Sequence, residues 1–173
     1  MALMTEVAEK PSIYIETSIV SYLRPEPANQ VVAAARQILT RRWWDSERSN
    51  YRLVTSQHVI DEALLGNRAL ADERLEHLRD IPLLSTGGDV PIIAEEILSR
   101  GIVPRKARYD ALHIAVAAYH DADYLLTWNC KHIANARILS RIEAVLDDLD
   151  YSIPIICTPE EMVDDDTRID QTD

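Results

Sequence analysis

Short apolar runs that favour strands alternate with helix-period segments along the whole chain, and this alternation restricts the fold more than any other feature. Residues 12–15, 51–55, 81–85, 124–127 and 153–157 have the length and side-chain types of strands. Between them, apolar positions recur at helical spacing. Segment 28–50 carries Val31, Ala34, Ala35, Ile38, Leu39 and Trp43 along one face and Arg36, Arg41 and Arg42 along the other. Segment 135–150 turns Ile138, Leu139, Ile142, Val145, Leu146 and Leu149 inward. Further helices are predicted over 19–23, from Ser56 to about Gly66, over 69–79, over 90–100 and from Pro104 to about Tyr119. Thr17 and Ser18 have the chemistry of N-caps for the first of these. Such alternation predicts an α/β fold: parallel strands, right-handed crossovers and helices on both faces of the sheet.

A chain of 173 residues suits one domain and buries a core large enough to fold without disulfides or a structural metal. No apolar run approaches the roughly 20 residues of a membrane span. The start of the chain, MALMTEVAEKP, carries acids and has no apolar centre, so no secretory signal is expected. Cys130 and Cys157 form no paired motif, and reduced thiols in a cytoplasmic protein are expected. The net charge of −11 works against general nucleic-acid affinity. It is uneven: residues 160–173 hold a net −6, which reads as a solvated acidic tail.

In an open parallel sheet, ligands bind beyond the carboxyl ends of the strands. Glu16 follows the first strand, with Thr17 and Ser18 behind it. Glu62 lies about two turns into the helix that follows the second strand. Asn129, Lys131 and His132 follow the strand over 124–127. Asp110 sits in an otherwise apolar helix, where an unpaired carboxylate is expensive. Each residue also has a plainer reading. Glu16 suits a helix N-terminus, Glu62 suits solvent, Asp110 suits a pair with Arg105, Lys106 or Arg108, and Asn129 suits a turn. Taken together, converging carboxylates suggest Mg²⁺ or Mn²⁺, hard ions that take oxygen ligands. Such ions lower the pKa of bound water and stabilise a leaving alkoxide.

His113 shares a helical face with Asp110 and is placed to donate a hydrogen bond to it, or to be satisfied by backbone in the core. Trp43 and Trp44 suit base stacking, core packing or a dimer contact; Trp128 suits a pocket wall or packing at the sheet edge. Arg105, Lys106, Arg108 and Lys131 are candidate RNA-backbone contacts, with a solvated helix face as the alternative. The four glycines exclude a dinucleotide-binding GxGxxG, a P-loop and a GxSxG elbow. Neither HExxH nor a cysteine–histidine zinc pattern occurs.

Four blocks carry a resemblance: IYIETSIVSYL (13–23), TSQHVIDEALLG (55–66), RYDALHIAVAA (108–118) and DYLLTWNCKHIANA (123–136). In this order and spacing they resemble the motif blocks of the PIN-domain family, in particular the VapC-like toxin ribonucleases. The resemblance implies a PIN-like three-layer α/β/α fold over residues 12–158. An N-terminal extension (1–11) and an acidic C-terminal tail (159–173) flank it. It also implies an endoribonuclease that hydrolyses RNA phosphodiesters with Mg²⁺ or Mn²⁺ and a metal-activated water. Glu16, Glu62, Asp110 and Asn129 fall on the catalytic and metal-binding positions. Thr17 or Ser18 would support the first acid, and Thr127 would orient the last strand end. A homodimer and an antitoxin partner are implied in the same way. Two departures stand out. Glu16 occupies a position usually held by Asp, and the neutral Asn129 stands where a fourth acid is usual. Two other readings remain: a PIN module that binds RNA or protein without cutting, and an acidic protein whose tail binds a partner.

Overall fold

The computed structural model describes residues 9–164. Most of the N-terminal extension (1–8) and most of the acidic tail (165–173) therefore lie outside the described residues. Five strands form one sheet: β1 (Ser12–Ile15), β2 (Arg52–Ser56), β3 (Leu83–Leu84), β4 (Tyr124–Leu126) and β5 (Ile155–Cys157). Their order is β3-β2-β1-β4-β5, and every pairing is parallel. The expected mostly parallel sheet is thus wholly parallel. All four residues of β1 are buried. Successive side chains point to opposite faces, so both faces of the central strand are covered, as a three-layer α/β/α arrangement requires.

Seven α-helices flank the sheet: α1 (Thr17–Ser21), α2 (Val31–Arg42), α3 (Gln57–Ala63), α4 (Arg68–Leu78), α5 (Val90–Ser99), α6 (Arg108–Tyr119) and α7 (Ala136–Asp148). None is long and apolar enough to cross a membrane. Residue types at the ends explain several boundaries. Asn67 caps α4, its Oδ1 accepting from Ala69 N and Leu70 N, and Asn135 caps α7 in the same manner. Gly66, at φ +86°, turns the chain out of α3 through the left-handed region. Pro104 lies just ahead of a 3₁₀ turn (Arg105–Ala107) rather than inside α6.

Two sequence expectations are corrected. Thr17 and Ser18 do not cap α1; they are its first two residues, and Glu16 holds the extended cap position. The longer error concerns 28–50, where one continuous helix is expected. α2 ends at Arg42 and passes into a π-helical turn (Trp43–Glu47) and a 3₁₀ turn (Arg48–Asn50). The wider turn brings Trp43 and Trp44, adjacent in sequence, into the core together. The face expected to be buried is also misplaced. Val31 is 86% and Ile38 58% exposed, while Gln37 and Thr40 are buried. Gln37 turns inward because both ends of its amide are used, Oε1 by Ala28 N and Nε2 by Glu26 O.

The register of β1 against β4 sets up the site. Ser12 N and Oγ both donate to Asp123 Oδ2, and Asp123 N donates back to Ser12 Oγ at 2.9 Å. These bonds hold the Asp123 carboxyl below its ordinary range. Ile13, Tyr14 and Ile15 then pair with Tyr124, Leu125 and Leu126. One rung further, Glu16 leaves β1 beside Thr127 leaving β4.

Candidate functional site

The strand order reverses between β1 and β4: chain order runs one way through β2 to β3 and the other way to β5. Loops leaving the carboxyl ends diverge there and open a crevice. It is a cleft of about 420 Å³, lined by Glu16, Thr17, Ser18, Ser21, Tyr22, Arg36, Glu62, Asp110, Trp128 and Asn129. All four residues expected to be catalytic share this cleft, although they come from four separate segments.

Glu16 is 3% exposed, yet its carboxylate is well supported. Ser18 Oγ donates to Oε2 at 2.5 Å and Thr127 Oγ1 donates to the same atom at 2.7 Å. Ser18 Oγ in turn accepts from Trp128 N at 2.8 Å, and Thr127 Oγ1 accepts from Asn129 N at 2.9 Å. The two hydroxyls thereby lock the β4 exit loop against the β1 exit. Burial pushes the Glu16 carboxyl above its ordinary value, against the lowering pull of His113, Ser18 and Thr127; the Glu62 charge adds to the rise.

Glu62 projects from α3 toward His113 of α6, with Oε2 3.1 Å from Nε2. Partial burial raises the Glu62 carboxyl, but the hydrogen bond and charge of His113 outweigh it and hold it below the ordinary range. Thr17 adds a small lowering through proximity, although its Oγ1 falls short of hydrogen-bond geometry and is buried without a partner. His113 itself has no exposed surface, and its Nδ1 lies 2.9 Å from Tyr14 Oη, which lies 2.7 Å from Ser56 Oγ. Ser56, Tyr14, His113 and Glu62 thus form one buried chain running from the sheet to the cleft. Neither expected partner of His113, the Asp110 carboxylate or the backbone, is the one it takes. It serves Glu62 instead, because its ring is drawn back toward β1 by Tyr14.

Asp110 finds a different partner. Its Oδ2 lies 2.8 Å from His132 Nδ1, in the loop after β4, and none of the neighbouring basic residues of its own helix pairs with it. Asn129 lines the cleft while its Oδ1 accepts from Lys131 N at 3.2 Å and His132 N at 3.0 Å. The turn reading and the site reading therefore meet in one side chain, since this turn presents His132 to Asp110.

The donor set suits a divalent cation. Ligand atoms of Glu16, Glu62 and His113 lie within 4.8 Å of one another. Two close carboxylates, one of them buried against its own ionisation, and an unpartnered buried hydroxyl at Thr17 are the surroundings a hard cation relieves. Glu16, Glu62 and Asp110 bring their carboxylates to the lining of this cleft, and Asn129 brings a neutral amide.

The candidate RNA contacts lie outside the lining of the cleft. Arg105 is bound to Glu95 by two hydrogen bonds, and the Arg108 guanidinium lies 5.3 Å from the Tyr109 ring centre. Lys106 and Lys131 are exposed. Trp43 and Trp44 are core residues, while Trp128 both packs and walls the cleft, its Nε1 donating to Thr40 Oγ1 at 2.7 Å. Sequence reasoning placed Ser56 at the end of the second strand without giving it a partner, and missed Tyr14, the His132 pairing and the position of Arg36. Tyr14 did leave a signal, as the one residue with a polar tip inside an otherwise aliphatic strand end.

Comparison with known proteins accords with this geometry. A chain of the VapBC2 complex from Rickettsia felis, solved bound to a DNA fragment from their promoter, superposes with a TM-score of 0.55 at 14% identity. The match covers 85% of this chain and 98% of that one. Mycobacterium tuberculosis VapC20, described as a sarcin-ricin loop cleaving toxin, gives a TM-score of 0.49 at 23% identity over 65% of this chain and 86% of that one. No sequence among the curated proteins matches. The PIN domain matches residues 13–136, which span β1 through the loop after β4 and all four acidic-cleft positions. That match supports a nuclease-type function, and on its extent the chain belongs to the PIN domain family.

Proposed function

We propose that the protein is a metal-dependent endoribonuclease of the VapC-like toxin type. The observation that carries this reading is the convergence of Glu16, Glu62 and Asp110 in one cleft at the reversal of strand order, within a PIN domain. Mg²⁺ or Mn²⁺ bound there would supply a nucleophilic water at neutral pH and stabilise the departing oxygen. The chain's own residues do the rest. Ser18 and Thr127 fix the Glu16 carboxylate, His113 aims Glu62, and His132 aims Asp110. The buried walls formed by Trp128 and α1 keep the acids in a poorly solvated setting, where charge–charge interactions are strong. By the same resemblance, the protein is proposed to be cytoplasmic, to form a homodimer and to be held inactive by an antitoxin.

Cleavage of a panel of single-stranded and structured RNAs with Mn²⁺, Mg²⁺ or chelator tests the reading. Metal-dependent cleavage that Asp110→Asn abolishes is expected. Identical cleavage by the wild type and the variant would mean contamination and would end the proposal. One observation favours a second reading, a module that binds without cutting. The Asn129 amide oxygen is engaged by two loop N–H groups, so the fourth ligand position is both neutral and occupied. Under that reading, calorimetry shows no Mn²⁺ binding at millimolar concentrations.

A further inference from the structure

Among the described residues, Arg36 is the only cation lining the acidic cleft. It arises from the middle of α2, and three features single it out. Its guanidinium lies over two aromatic rings that meet edge to face, 5.1 Å from the Trp128 ring centre and 5.9 Å from that of Tyr22. The platform beneath it is fixed: Trp128 Nε1 donates to Thr40 Oγ1, and Thr40 Oγ1 donates to the carbonyl of Arg36 itself at 2.6 Å. Finally, its donors are nearly unused. Its hydrogen bonds are long, 3.4 Å to Tyr22 Oη and 3.9 Å to Cys130 Sγ, and among the described residues no carboxylate lies within ion-pair distance of it.

An arginine beside three carboxylates that pairs with none of them is held for a different anion. Contact with the two ring faces favours this position of the guanidinium over one beside Glu16 or Glu62. Five N–H donors in a rigid fork match the oxygens of a phosphodiester. Arg36, placed by helical spacing on the face of α2 opposite the apolar one, is thereby the one cation in the cleft lining among the described residues, whereas Arg105 is committed to Glu95.

We infer that Arg36, stacked on Trp128 and Tyr22, grips a phosphate of the RNA backbone and draws the strand over the acidic cleft. The inference rests on the ribonuclease reading for the identity of the strand. It also accounts for how a chain of net charge −11 gathers a polyanion: one oriented cation in the cleft acts where the overall charge does not.

The test uses the full chain carrying Asp110→Asn, so that RNA is bound without being cut. Fluorescence anisotropy with a labelled single-stranded RNA is measured across a salt series, alone and with Arg36→Met or Arg36→Lys added. Arg36→Met is expected to weaken binding about tenfold. The slope of log affinity against log salt should fall by about 0.7, the value for one phosphate contact on a single strand. Arg36→Lys should retain the slope and recover only part of the affinity, because it keeps the charge and loses the fork. In the otherwise wild-type chain, Arg36→Met should raise KM more than it lowers kcat, with Mn²⁺ affinity by calorimetry unchanged. Unchanged RNA affinity and slope in Arg36→Met overturns the inference. So does an affinity loss that Arg36→Lys does not relieve and that tracks a fall in Tm, since Arg36 would then be packing only. The two proposals fail separately. RNA binding that depends on Arg36 without any metal-dependent cleavage removes the ribonuclease and keeps the grip; cleavage with Arg36-independent binding does the reverse.

Discussion

His113 Nε2 stands 3.1 Å from Glu62 Oε2 while its other ring nitrogen stands 2.9 Å from Tyr14 Oη. A fully buried imidazole is thus held at both ends, by a tyrosine from the central strand and by a carboxylate at the cleft. Tyr14→Phe removes one hydroxyl and leaves Ser56 Oγ and His113 Nδ1 without partners. Leaving a buried polar group unsatisfied costs about 1–3 kcal/mol. Urea denaturation should show a stability loss of that size, read as a lower midpoint with an unchanged m-value. Catalysis should fall as well, because the aim of Glu62 depends on the ring.

Glu16 and Glu62 should respond to pH with opposite signs. Burial lifts Glu16 above its ordinary value of 4.5, so its folded form holds its proton longer than its unfolded form. Stability from this group is greatest below that ordinary value and declines as pH rises through the folded value. Glu62 is lowered, so its contribution is present above 4.5 and is lost as pH falls through its folded value. At pH 7 in chelator, Glu16→Gln should raise Tm and Glu62→Gln should lower it. A fall in both would contradict this assignment of cause.

The pairing of His132 with Asp110 carries a catalytic prediction. His132→Ala leaves the carboxylate in place without its orienting partner. Loss of a partner that orients a metal-binding group typically costs 10–100-fold in affinity or activity, so a decrease of about that size in Mn²⁺-dependent cleavage is expected. Asp110→Asn should remove activity altogether. Equal effects of the two substitutions on stability, with no effect of His132→Ala on rate, would sever the link.

Asn129→Asp restores a fourth negative charge to the cleft. The two loop N–H groups that now bond to the amide oxygen would bond equally well to a carboxylate, so the turn should survive. Ligand charge count tunes divalent affinity over decades, and Mn²⁺ binding should tighten about tenfold in calorimetry. Unchanged binding would indicate that position 129 contributes nothing beyond the turn.

A control remote from the cleft comes from Asn67. Its side chain satisfies two N–H groups at the start of α4, and Asn67→Ala should cost about 1 kcal/mol. For a domain of this size that corresponds to a fall in Tm of about 2–4 °C, with cleavage rates unaffected.

Much of this architecture was legible before the coordinates. The strands announce themselves because a parallel sheet covered on both faces needs continuous apolar runs, and 13–15 and 124–126 are such runs. The expected site residues Glu16, Glu62, Asp110 and Asn129 do converge, since strand ends dictate where a crevice opens. The partners were not legible. Helical spacing suggested that His113 serves Asp110, but which way a histidine leans is decided by a tyrosine 99 residues away. The face of α2 was misjudged for a related reason. Val31 and Ile38 look like core residues at a 3.6-residue period, yet the amide of Gln37 and the hydroxyl of Thr40 find internal partners and take the inward positions. The π-helical turn that then seats Trp43 and Trp44 leaves no trace in a periodicity count. The same misplaced wheel put Arg36 on the face opposite the apolar one and gave it no part in the site.

The register bond between Ser12 and Asp123 also bears on biosynthesis. Glu16 is held by Thr127, 111 residues further along the chain, and Asp110 by His132. A growing chain that has not yet released β4 from the ribosome lacks both clamps, and long-range closures of this kind form late. Nascent chains ending before residue 124 should therefore carry the acids without the cleft. The acids of the cleft are thus made early in synthesis, and the geometry that joins them comes only with the loop after β4.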